Sequence, residues 1–424
     1  MILTINGGSS SIKFALYHRG SVPEKVFSGE INRIGLPGVK FTFKEKTTEK
    51  QTLSIKENDY PSTLIWLLNW LEEKLDFDRI TAIGHRIVHG MQRTEPALIT
   101  TELLEGLKQI IPYDPDHLPN EIKLIEAFQK HHPKIAQFAC FDTAFHQTMP
   151  SVAKLLPIPR RFGQLGVRRY GFHGLSYNYL MQELERLAGK EAANGRVVLA
   201  HLGNGASLAA VYQGKSIDTS MGFSPCSGLP MSSRSGDLDP GVCWFMMKTE
   251  KLGPEQFNHL VNHESGLLGI SETSADMNDL LRQEATDVRS AEAVNLFCYQ
   301  VKKWIGAFAA ALGGIDTLVF AGGIGENAPL IRARICEGLG FLGIELDEKS
   351  NSETLMGHRS KTEMNKAREA LPPSINQIYP DENAGIISSG KRSIAVRVIP
   401  TDEELMIAKI VGGMIAEKTT QQQT

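Results

Sequence analysis

The amino-acid sequence predicts an α/β fold. In the first 150 residues, short apolar segments with strand character alternate with helical patterns, which is typical of a sheet flanked by helices. Strands are predicted at residues 2–5, 12–17, 82–88 and 138–141, and helices at residues 61–75 and 121–129. The length of 424 residues allows two or three domains with substantial cores.

The composition limits the class of partner. Hydrophobic residues make up 42% of the chain and charged residues 22%, which is ordinary for a globular protein and excludes disordered, collagen-like and coiled-coil classes. The formal net charge is −3, so the chain has no general attraction to nucleic acid or to anionic membranes. We therefore expect a small-molecule partner, with no nucleic acid and no membrane.

Cysteines and apolar segments indicate the compartment. The five cysteines are far apart and include no CxxC pair, so neither a disulfide framework nor a thiolate metal site is predicted. The N-terminal MILTINGGSSS lacks the basic region of a signal peptide, and the apolar stretch 304–315 is too short to cross a bilayer. We expect a cytoplasmic enzyme.

A weak internal repeat indicates two halves of similar design. Residues 8–17 can be laid over residues 203–212, and each copy reads as strand, small-residue turn and strand. Apolar strands at residues 2–5 and 197–202 run into the two turns, which predicts two β-hairpins. Long loops at residues 150–174 and 218–241 are the expected places for function.

A third glycine-rich segment, AGGIGEN at residues 321–327, is predicted to be a loop between the strand 317–320 and a helix with Pro329 just inside it. One such turn is usually structural, but three strand-bounded turns favour backbone amides that bind a polyphosphate. The chain's nearest match to a P-loop ends in Gly214-Lys215-Ser216, but it is not a P-loop, because Ala209 stands where the pattern requires glycine. HExxH and GxSxG are absent from the sequence, so zincin and α/β-hydrolase chemistry lack their motifs.

Several longer motifs together resemble those of the acetate kinase family. They are NGGSSSIK (6–13), GHRIVHG (84–90), FDTAFHQTMP (141–150), YGFHG (170–174), HLGNGA (201–206), RSGDLDP (234–240), AGGIGEN (321–327) and PTDEELMIA (400–408). The resemblance covers nearly the whole chain. It implies the sugar kinase, Hsp70 and actin superfamily, with two ribonuclease-H-like domains, an active-site cleft between them and a homodimeric assembly.

The resemblance also implies domain boundaries. Residues 1–150 and about 388–424 would form a domain on the acid and phosphate side, completed by a returning C-terminal helix. Residues 151–387 would form the nucleotide-binding domain.

Phosphoryl transfer to a carboxylate brings several anions together, so it needs cations and rigid donors. The guanidinium groups of Arg86 and Arg234 can hold a carboxylate or a phosphoryl group in bidentate fashion. By resemblance these are the two active-site arginines, and His173 donates to the phosphoryl group. An arbitrary arginine more often forms a surface salt bridge, and a lone histidine is more often structural, as we expect for the histidines at 85, 89 and 146.

Magnesium, or manganese in its place, is the implied cofactor. Asp142 follows a predicted strand and can bind Mg²⁺ directly or through water. By resemblance Glu403 is the second acidic magnesium residue, and Asn6 assists. A structural alternative exists for the same segment, because Thr401–Glu404 reads as a helix capping box with Glu404 at its third helical position.

The resemblance assigns further residues by role. The acid is expected to contact Val88, Phe172, Pro225 and His117. The phosphates and the nucleotide are expected to contact Asn6, Ser9, Ser11, Lys13, His201, Asn204, Gly205, Asp276, Met277, Asn278, Gly323, Gly325 and Asn327.

The chain departs from the family pattern beside the site. Leu175 and Tyr177 replace the threonine and histidine of GFHGTSH, and Cys226 lies in a segment that has lost a glutamate. Residues 276–278 read Asp-Met-Asn instead of Asp, aromatic, Arg, which leaves the nucleotide preference open.

Asp116 stands where the family has an apolar residue before the histidine matched to His117. A carboxylate facing a methyl group would be poorly solvated. Our hypothesis is that Asp116 turns to solvent while Tyr113 or Leu118 covers the acid pocket. In the alternative, Asp116 recognises a more polar acid.

The expected activity is reversible, direct in-line phosphoryl transfer from ATP to acetate, giving ADP and acetyl phosphate. Two enzymatic alternatives are propionate or another short acid as acceptor, and a phosphate donor other than ATP. A third alternative, from another class, is an Hsp70-like or actin-like ATPase that uses no acid.

Overall fold

The computed structural model describes residues 1–8, 10–20, 22–46, 49–353, 385–390 and 394–421. The chain forms two compact units. The first unit comprises Met1–Ala144, Gly174–Ser176 and Asp402–Thr424, and the second comprises Phe145–His173 and Tyr177–Thr401. Each unit combines a mixed β-sheet with helices, so the predicted α/β class is confirmed.

The strands of the described chain are numbered in order. They are β1 Ile2–Gly7, β2 Ser11–His18, β3 Glu24–Asn32, β4 Lys40–Glu45, β5 Gln51–Ser54, β6 Ala82–Ile87, β7 Ala97–Leu98, β8 Ala136–Phe141, β9 Arg196–Leu202, β10 Ala206–Tyr212, β11 Lys215–Thr219, β12 Thr317–Ala321 and β13 Ala395–Val398.

The α-helices are numbered in the same way. They are α1 Tyr60–Lys74, α2 Thr101–Gln109, α3 Leu118–His131, α4 Ser151–Lys154, α5 Arg160–Gln164, α6 Gly174–Asn194, α7 Pro240–Thr249, α8 Pro254–His263, α9 Gly266–Ser271, α10 Met277–Gln283, α11 Val288–Leu312, α12 Gly322–Asn327, α13 Pro329–Cys336, α14 Glu348–Glu353 and α15 Glu403–Gln421. Short 3₁₀ helices occur at Phe77–Arg79, Ile111–Tyr113, Asp142–Thr148 and Gly340–Leu342.

The sheet of the first unit has the order β5-β4-β3-β2-β1-β6-β8-β7. Strand β1 is antiparallel to β2 and parallel to β6, which is in turn parallel to β8. Aromatic side chains form much of the core beneath this sheet; Phe41, for example, meets Trp70 edge to face at 4.6 Å between ring centroids. Gly29 permits this packing because a Cβ there would collide with the ring of Phe14.

The sheet of the second unit has the order β11-β10-β9-β12-β13. Strands β9 and β10 form an antiparallel hairpin, and β9, β12 and β13 are parallel neighbours. In the first unit, the strands β3-β2-β1-β6-β8 have the same arrangement, in which antiparallel strands are followed by parallel ones. The prediction of two hairpins in two halves of similar design is therefore confirmed.

Helix α15 packs on the sheet of the first unit. It contacts β1, β2 and β6, and the absence of a side chain at Gly84 lets Ile407 and Val411 approach the backbone of β6. Strand β13 belongs to the sheet of the second unit, so the chain resumes the first unit at Asp402, whereas the sequence placed this return near residue 388.

Two local predictions are wrong. The segment 321–327 is not a loop but contains helix α12, because Gly322, at φ +76°, turns the chain as it leaves β12 and donates to Glu326 Oε1 at 2.9 Å. The capping box at Thr401 is replaced by a cap from Asp402, whose Oδ1 accepts from the Leu405 N–H at 2.9 Å. The Thr401 N–H instead donates to Glu326 at 3.1 Å.

We searched the described residues for helices that could span a membrane. Within them, no helix is both long enough and apolar enough to cross a bilayer.

Candidate active site

Arg86 is held by a buried carboxylate at the ends of three neighbouring strands of the first unit. Asn6 lies in β1, Arg86 in β6, and Asp142 directly after β8. The Nε and Nη2 atoms of Arg86 donate to Asp142 Oδ2 at 2.9 and 2.6 Å, and Nη1 donates to Asn6 Oδ1 at 3.3 Å. Because β1, β6 and β8 are parallel, their carboxyl ends bring these three predicted residues together.

Two glutamates of helix α15 join this group. Asn6 Nδ2 donates to Glu403 Oε2 at 2.8 Å and to Glu404 Oε1 at 3.0 Å. Burial lowers the pKa of Arg86, but Asp142 and Glu403 raise it by more, so the guanidinium stays charged. Burial raises the pKa of Glu404, with Lys13 opposing and Glu403 adding to the shift. Carboxylates thus crowd together here, with two cationic side chains facing them.

The residues predicted to hold magnesium provide suitable donors. Among the residues with described positions, no group of three or more histidine, cysteine, aspartate or glutamate side chains is arranged to hold a metal. The carboxylates of Asp142 and Glu403 are nonetheless joined to Asn6 by hydrogen bonds, directly or through Arg86. Mg²⁺ prefers oxygen ligands, keeps several waters and needs only one or two carboxylates, so this donor set fits it.

The phosphate-side residues of the first hairpin are placed only in part. Ser11 opens β2, and its carbonyl accepts from the Gly8 N–H at 2.7 Å. Lys13 Nζ lies 3.7 Å from Glu30 Oε1. Burial lowers the pKa of Lys13, but nearby glutamates raise it above its usual value. Ser9 lies outside the described residues.

The acid-side residues Val88 and His117 each meet a carboxylate that the sequence analysis missed. The Val88 N–H lies 3.1 and 3.2 Å from the two oxygens of Glu121, and His117 Nδ1 lies 2.8 Å from Asp114 Oδ1. All four residues are buried. Burial, followed by the charge of Asp114, raises the pKa of Glu121 well above its usual value.

The loop that carries Asp116 contains both apolar and charged side chains that are at least half-buried. Leu118 is fully buried and Tyr113 is half-buried, whereas Asp116 is itself half-buried. The hypothesis that Asp116 turns to solvent stays a prediction.

In the second unit, His173 is held in an unusual backbone conformation. It precedes helix α6 with φ +59°, a left-handed conformation that non-glycine residues adopt mainly at functional or turn positions. Its Nδ1 lies 2.8 Å from Ser207 Oγ, and its ring stacks on that of His201 with 4.3 Å between centroids. Two of the predicted histidines are therefore in direct contact.

Gly205 leaves a space that two donors face. A Cβ built at Gly205 would lie 3.2 Å from His173 Nε2 and 3.7 Å from Arg234 Nη1. Because glycine has no side chain, no atom of Gly205 fills the space in front of these two donors, and a ligand oxygen that lies further from the Gly205 Cα could accept from them.

The loop bearing Arg234 is tied to the same glycine turn. The Ser232 N–H donates to the Asn204 carbonyl at 3.2 Å, and Arg234 Nη1 donates to the Pro225 carbonyl at 3.3 Å. The structure thus brings His201, Asn204 and Pro225 together with the residues around Gly205. Phe172 is buried next to His173, and its carbonyl lies 2.9 Å from His146 Nε2.

The two glycine segments of the second unit are also neighbours. A Cβ at Gly203 would lie 3.7 Å from the backbone nitrogen of Gly323. Asn327 Nδ2 donates to the Gly323 carbonyl at 2.9 Å, so this predicted nucleotide residue supports helix α12.

A buried arginine that the sequence analysis missed supports the Gly325 region. Arg332 is fully buried, and its Nη1 donates to the carbonyls of Gly325 and Glu326, both at 2.9 Å. Its Nε and Nη2 donate to Asn351 at 2.8 and 2.7 Å. Burial lowers the pKa of Arg332 to about 10. Four neutral oxygens therefore hold this guanidinium.

The expected nucleotide segment 276–278 begins helix α10. Asp276 is its N-cap, and Asp276 Oδ1 accepts from the Asn278 N–H at 2.7 Å. The side chain of Met277 is buried. The role of these three residues toward a nucleotide stays a prediction.

Comparison with known proteins gives one consistent result. Residues 1–372 match the family model of the Acetokinase family. An acetate kinase of Rhodopseudomonas palustris is 39% identical, with 97% of each chain covered. The crystal structure of a propionate kinase from Francisella tularensis has a TM-score of 0.82 at 34% identity, covering 96% of this chain and 98% of that one. The acetate kinase of Porphyromonas gingivalis has a TM-score of 0.77 at 35% identity, covering 96% and 97%.

The expected membership is confirmed by sequence, by fold and by the family match over most of the chain. Its relatives are phosphotransferases by name. The chain belongs to the acetate kinase family.

Proposed function

We propose that this protein is a magnesium-dependent kinase that transfers the γ-phosphoryl group of ATP to acetate. The juxtaposition of His173 Nε2 and Arg234 Nη1 beside Gly205, a residue with no side chain to cover them, carries the proposal. A phosphoryl oxygen in front of these two side chains would accept from both while negative charge spreads over the transferring group.

The reaction is a direct displacement. An acetate oxygen attacks the γ-phosphorus, the new P–O bond forms, and the bond from the γ-phosphorus to the bridging oxygen of ADP breaks. His173 and Arg234 stabilise the charge on the equatorial oxygens during this step. No covalent enzyme intermediate is needed.

The first unit supplies the acid side of the proposal. Arg86 would hold the acetate carboxylate, while Asp142 fixes the guanidinium in place through two hydrogen bonds. Asp142, Glu403 and Asn6 are the residues that would hold Mg²⁺, and the ion would neutralise charge on the phosphate oxygens.

The acid is proposed to be acetate or another short aliphatic acid. Val88 and Phe172 are buried apolar side chains, which suits a methyl or ethyl group. Relatives include both a named acetate kinase and a named propionate kinase, so propionate is the second candidate.

Two further properties belong to the proposal. A cytoplasmic location agrees with the five free cysteines. A homodimer is supported by apolar side chains on α7 and α11 that are largely exposed in the single chain: Trp244 and Phe245 at 61% and Tyr299 at 58%. Helices α7 and α11 both line one groove of about 800 Å³.

The test is a hydroxamate assay for acyl phosphate with purified protein, run over a panel of acids and phosphate donors. We expect Mg²⁺-dependent formation of acetyl phosphate from acetate and ATP. ATP hydrolysis at an equal rate with and without acid would refute the proposal and favour an ATPase. If a different acid or phosphate donor gives a larger kcat/KM, that compound would take the place of acetate or ATP in the proposed reaction.

A further inference from the structure

A short chain of buried hydroxyl groups leads to His173. The Tyr177 hydroxyl lies 2.5 Å from Ser207 Oγ, which lies 2.8 Å from His173 Nδ1. Tyr177 and Ser207 are fully buried, and His173 is 9% exposed. All three residues belong to the second unit.

Packing alone does not require a tyrosine at this position. Tyr177 lies in the core of the second unit, and its ring meets His146 edge to face at 5.6 Å. A phenylalanine ring would fill the same volume without burying a hydroxyl group, which is costly unless that group is hydrogen-bonded. Ser207 Oγ is a hydrogen-bond partner of this buried hydroxyl.

The direction of the hydrogen bonds determines which tautomer His173 adopts. Ser207 has one hydroxyl hydrogen. If Tyr177 donates to Ser207 Oγ, Ser207 can donate to His173 Nδ1, and the neutral imidazole then carries its hydrogen on Nε2. Nε2 is the atom that faces the space beside Gly205.

We infer that Tyr177 is a positioning residue that acts through Ser207 to keep the hydrogen of His173 on Nε2. This inference rests on the proposed function, because an Nε2–H group is what a phosphoryl oxygen would accept from. Tyr177 stands where the family pattern has a histidine. In this chain a phenol hydroxyl makes the contact with Ser207, whereas an imidazole at the same position would have to make it through a ring nitrogen.

The first experiment reads the tautomer directly. Protein labelled with ¹⁵N-histidine is examined by NMR above the pH at which His173 titrates, and the His173 signal is identified by its loss in His173→Gln. We expect the Nε2–H tautomer in the wild type and a mixture of tautomers in Tyr177→Phe and Ser207→Ala. A wild-type Nδ1–H tautomer, or unchanged signals in both variants, would overturn the inference.

The second experiment measures turnover. Loss of one buried hydrogen bond in Tyr177→Phe should lower kcat by about tenfold and leave KM for acid and ATP within about twofold. Ser207→Ala removes the direct partner of His173 and should lower kcat at least as much. Tyr179→Phe makes the same chemical change two residues further along α6, and we expect wild-type kcat from it.

The outcomes separate the two proposals. Wild-type kcat in a folded Tyr177→Phe variant would overturn the inference and leave the proposed function standing. A wild type that forms no acyl phosphate would overturn the proposed function, and the NMR measurement would still decide the hydrogen-bond direction. If Tyr177→Phe does not fold, Ser207→Ala and the wild-type tautomer carry the test.

Discussion

Gly205→Ala is the sharpest test of the phosphoryl position. The added methyl group would lie 3.2 Å from His173 Nε2 and 3.7 Å from Arg234 Nη1, at the edge of the space in which we place a phosphoryl oxygen. The methyl group accepts no hydrogen bond, and it would crowd the oxygen away from the two donors. Loss of one such donor typically lowers kcat by about 10²–10³-fold, so we expect at least this loss.

The same substitution should leave the fold intact. The backbone of Gly205 is not in the left-handed region, and the atoms nearest to the new methyl group belong to side chains that can shift by a few tenths of an ångström. We expect a free energy of unfolding within about 1 kcal/mol of the wild type. Gly163→Ala in α5 is the matched control, since a Cβ there meets no atom within 4 Å.

Acyl phosphate formation measures turnover, and thermal and denaturant unfolding measure stability. A folded Gly205→Ala variant with kcat close to that of the wild type would refute the proposed phosphoryl position. A variant that unfolds would show that the methyl group cannot be accommodated and that our estimate of the local freedom is wrong.

Four further predictions follow from the described contacts. Arg86→Ala should lower kcat by about 10²–10³-fold. It should also lower the free energy of unfolding by about 3–5 kcal/mol, because Asp142 is left buried without its cation. Arg86→Lys should recover most of the stability but little of the activity. Asp142→Asn and Glu403→Gln should each raise the Mg²⁺ concentration needed for half-maximal activity, and an unchanged requirement in both would remove them from magnesium binding. Asp116→Leu should change kcat/KM for acetate by less than about tenfold, and a preference for a hydroxylated or aminated acid that this substitution abolishes would favour the polar-acid alternative. Burial lowers the pKa of His146 to about 4. Between pH 6.5 and 4 the unfolded chain therefore binds a proton at this residue that the folded chain does not bind. The stability advantage of the wild type over His146→Gln should shrink by about 3 kcal/mol as the pH falls from 7 to 4.

The controls for these predictions are simple. Circular dichroism and unfolding curves at each pH distinguish loss of fold from loss of turnover. For His146, comparison of the variant with the wild type removes the contributions of other buried groups, such as Glu121, whose raised pKa acts in the opposite direction.

The sequence predicted the hairpins because strand patterns and glycine turns are local. It also placed Asn6 and Asp142 directly after two predicted strands and Arg86 in a third, and the parallel pairing of β1, β6 and β8 brought them together. By contrast, the contact between Asn6 and Glu403 spans 397 residues, so only resemblance pointed to it.

The missed residues fall into two kinds. Asp114 lies three residues before His117, so the spacing could have indicated the pair, but nothing local shows that both side chains are buried. The bond from Tyr177 to Ser207 joins α6 to β10, and its partner is set by tertiary packing. The helix at Gly322 was missed because a glycine-rich sequence favours a loop. In the structure the Glu326 side chain accepts a hydrogen bond from the Gly322 N–H at the start of the helix.

The position of helix α15 has a consequence for synthesis of the protein. The sheet of the first unit leaves the ribosome early. The two glutamates that bond to Asn6 come almost 400 residues after it, and the side chains that cover Gly84 come more than 320 residues after that glycine. At about 5–20 residues per second, these intervals last roughly 16–65 s for Gly84 and roughly 20–80 s for Asn6. During the first of these intervals, the strand face around Gly84 has no cover from Ile407 and Val411, and apolar surface left exposed in this way makes a nascent domain prone to aggregation. The group of carboxylates around Asn6 is complete only after α15 docks.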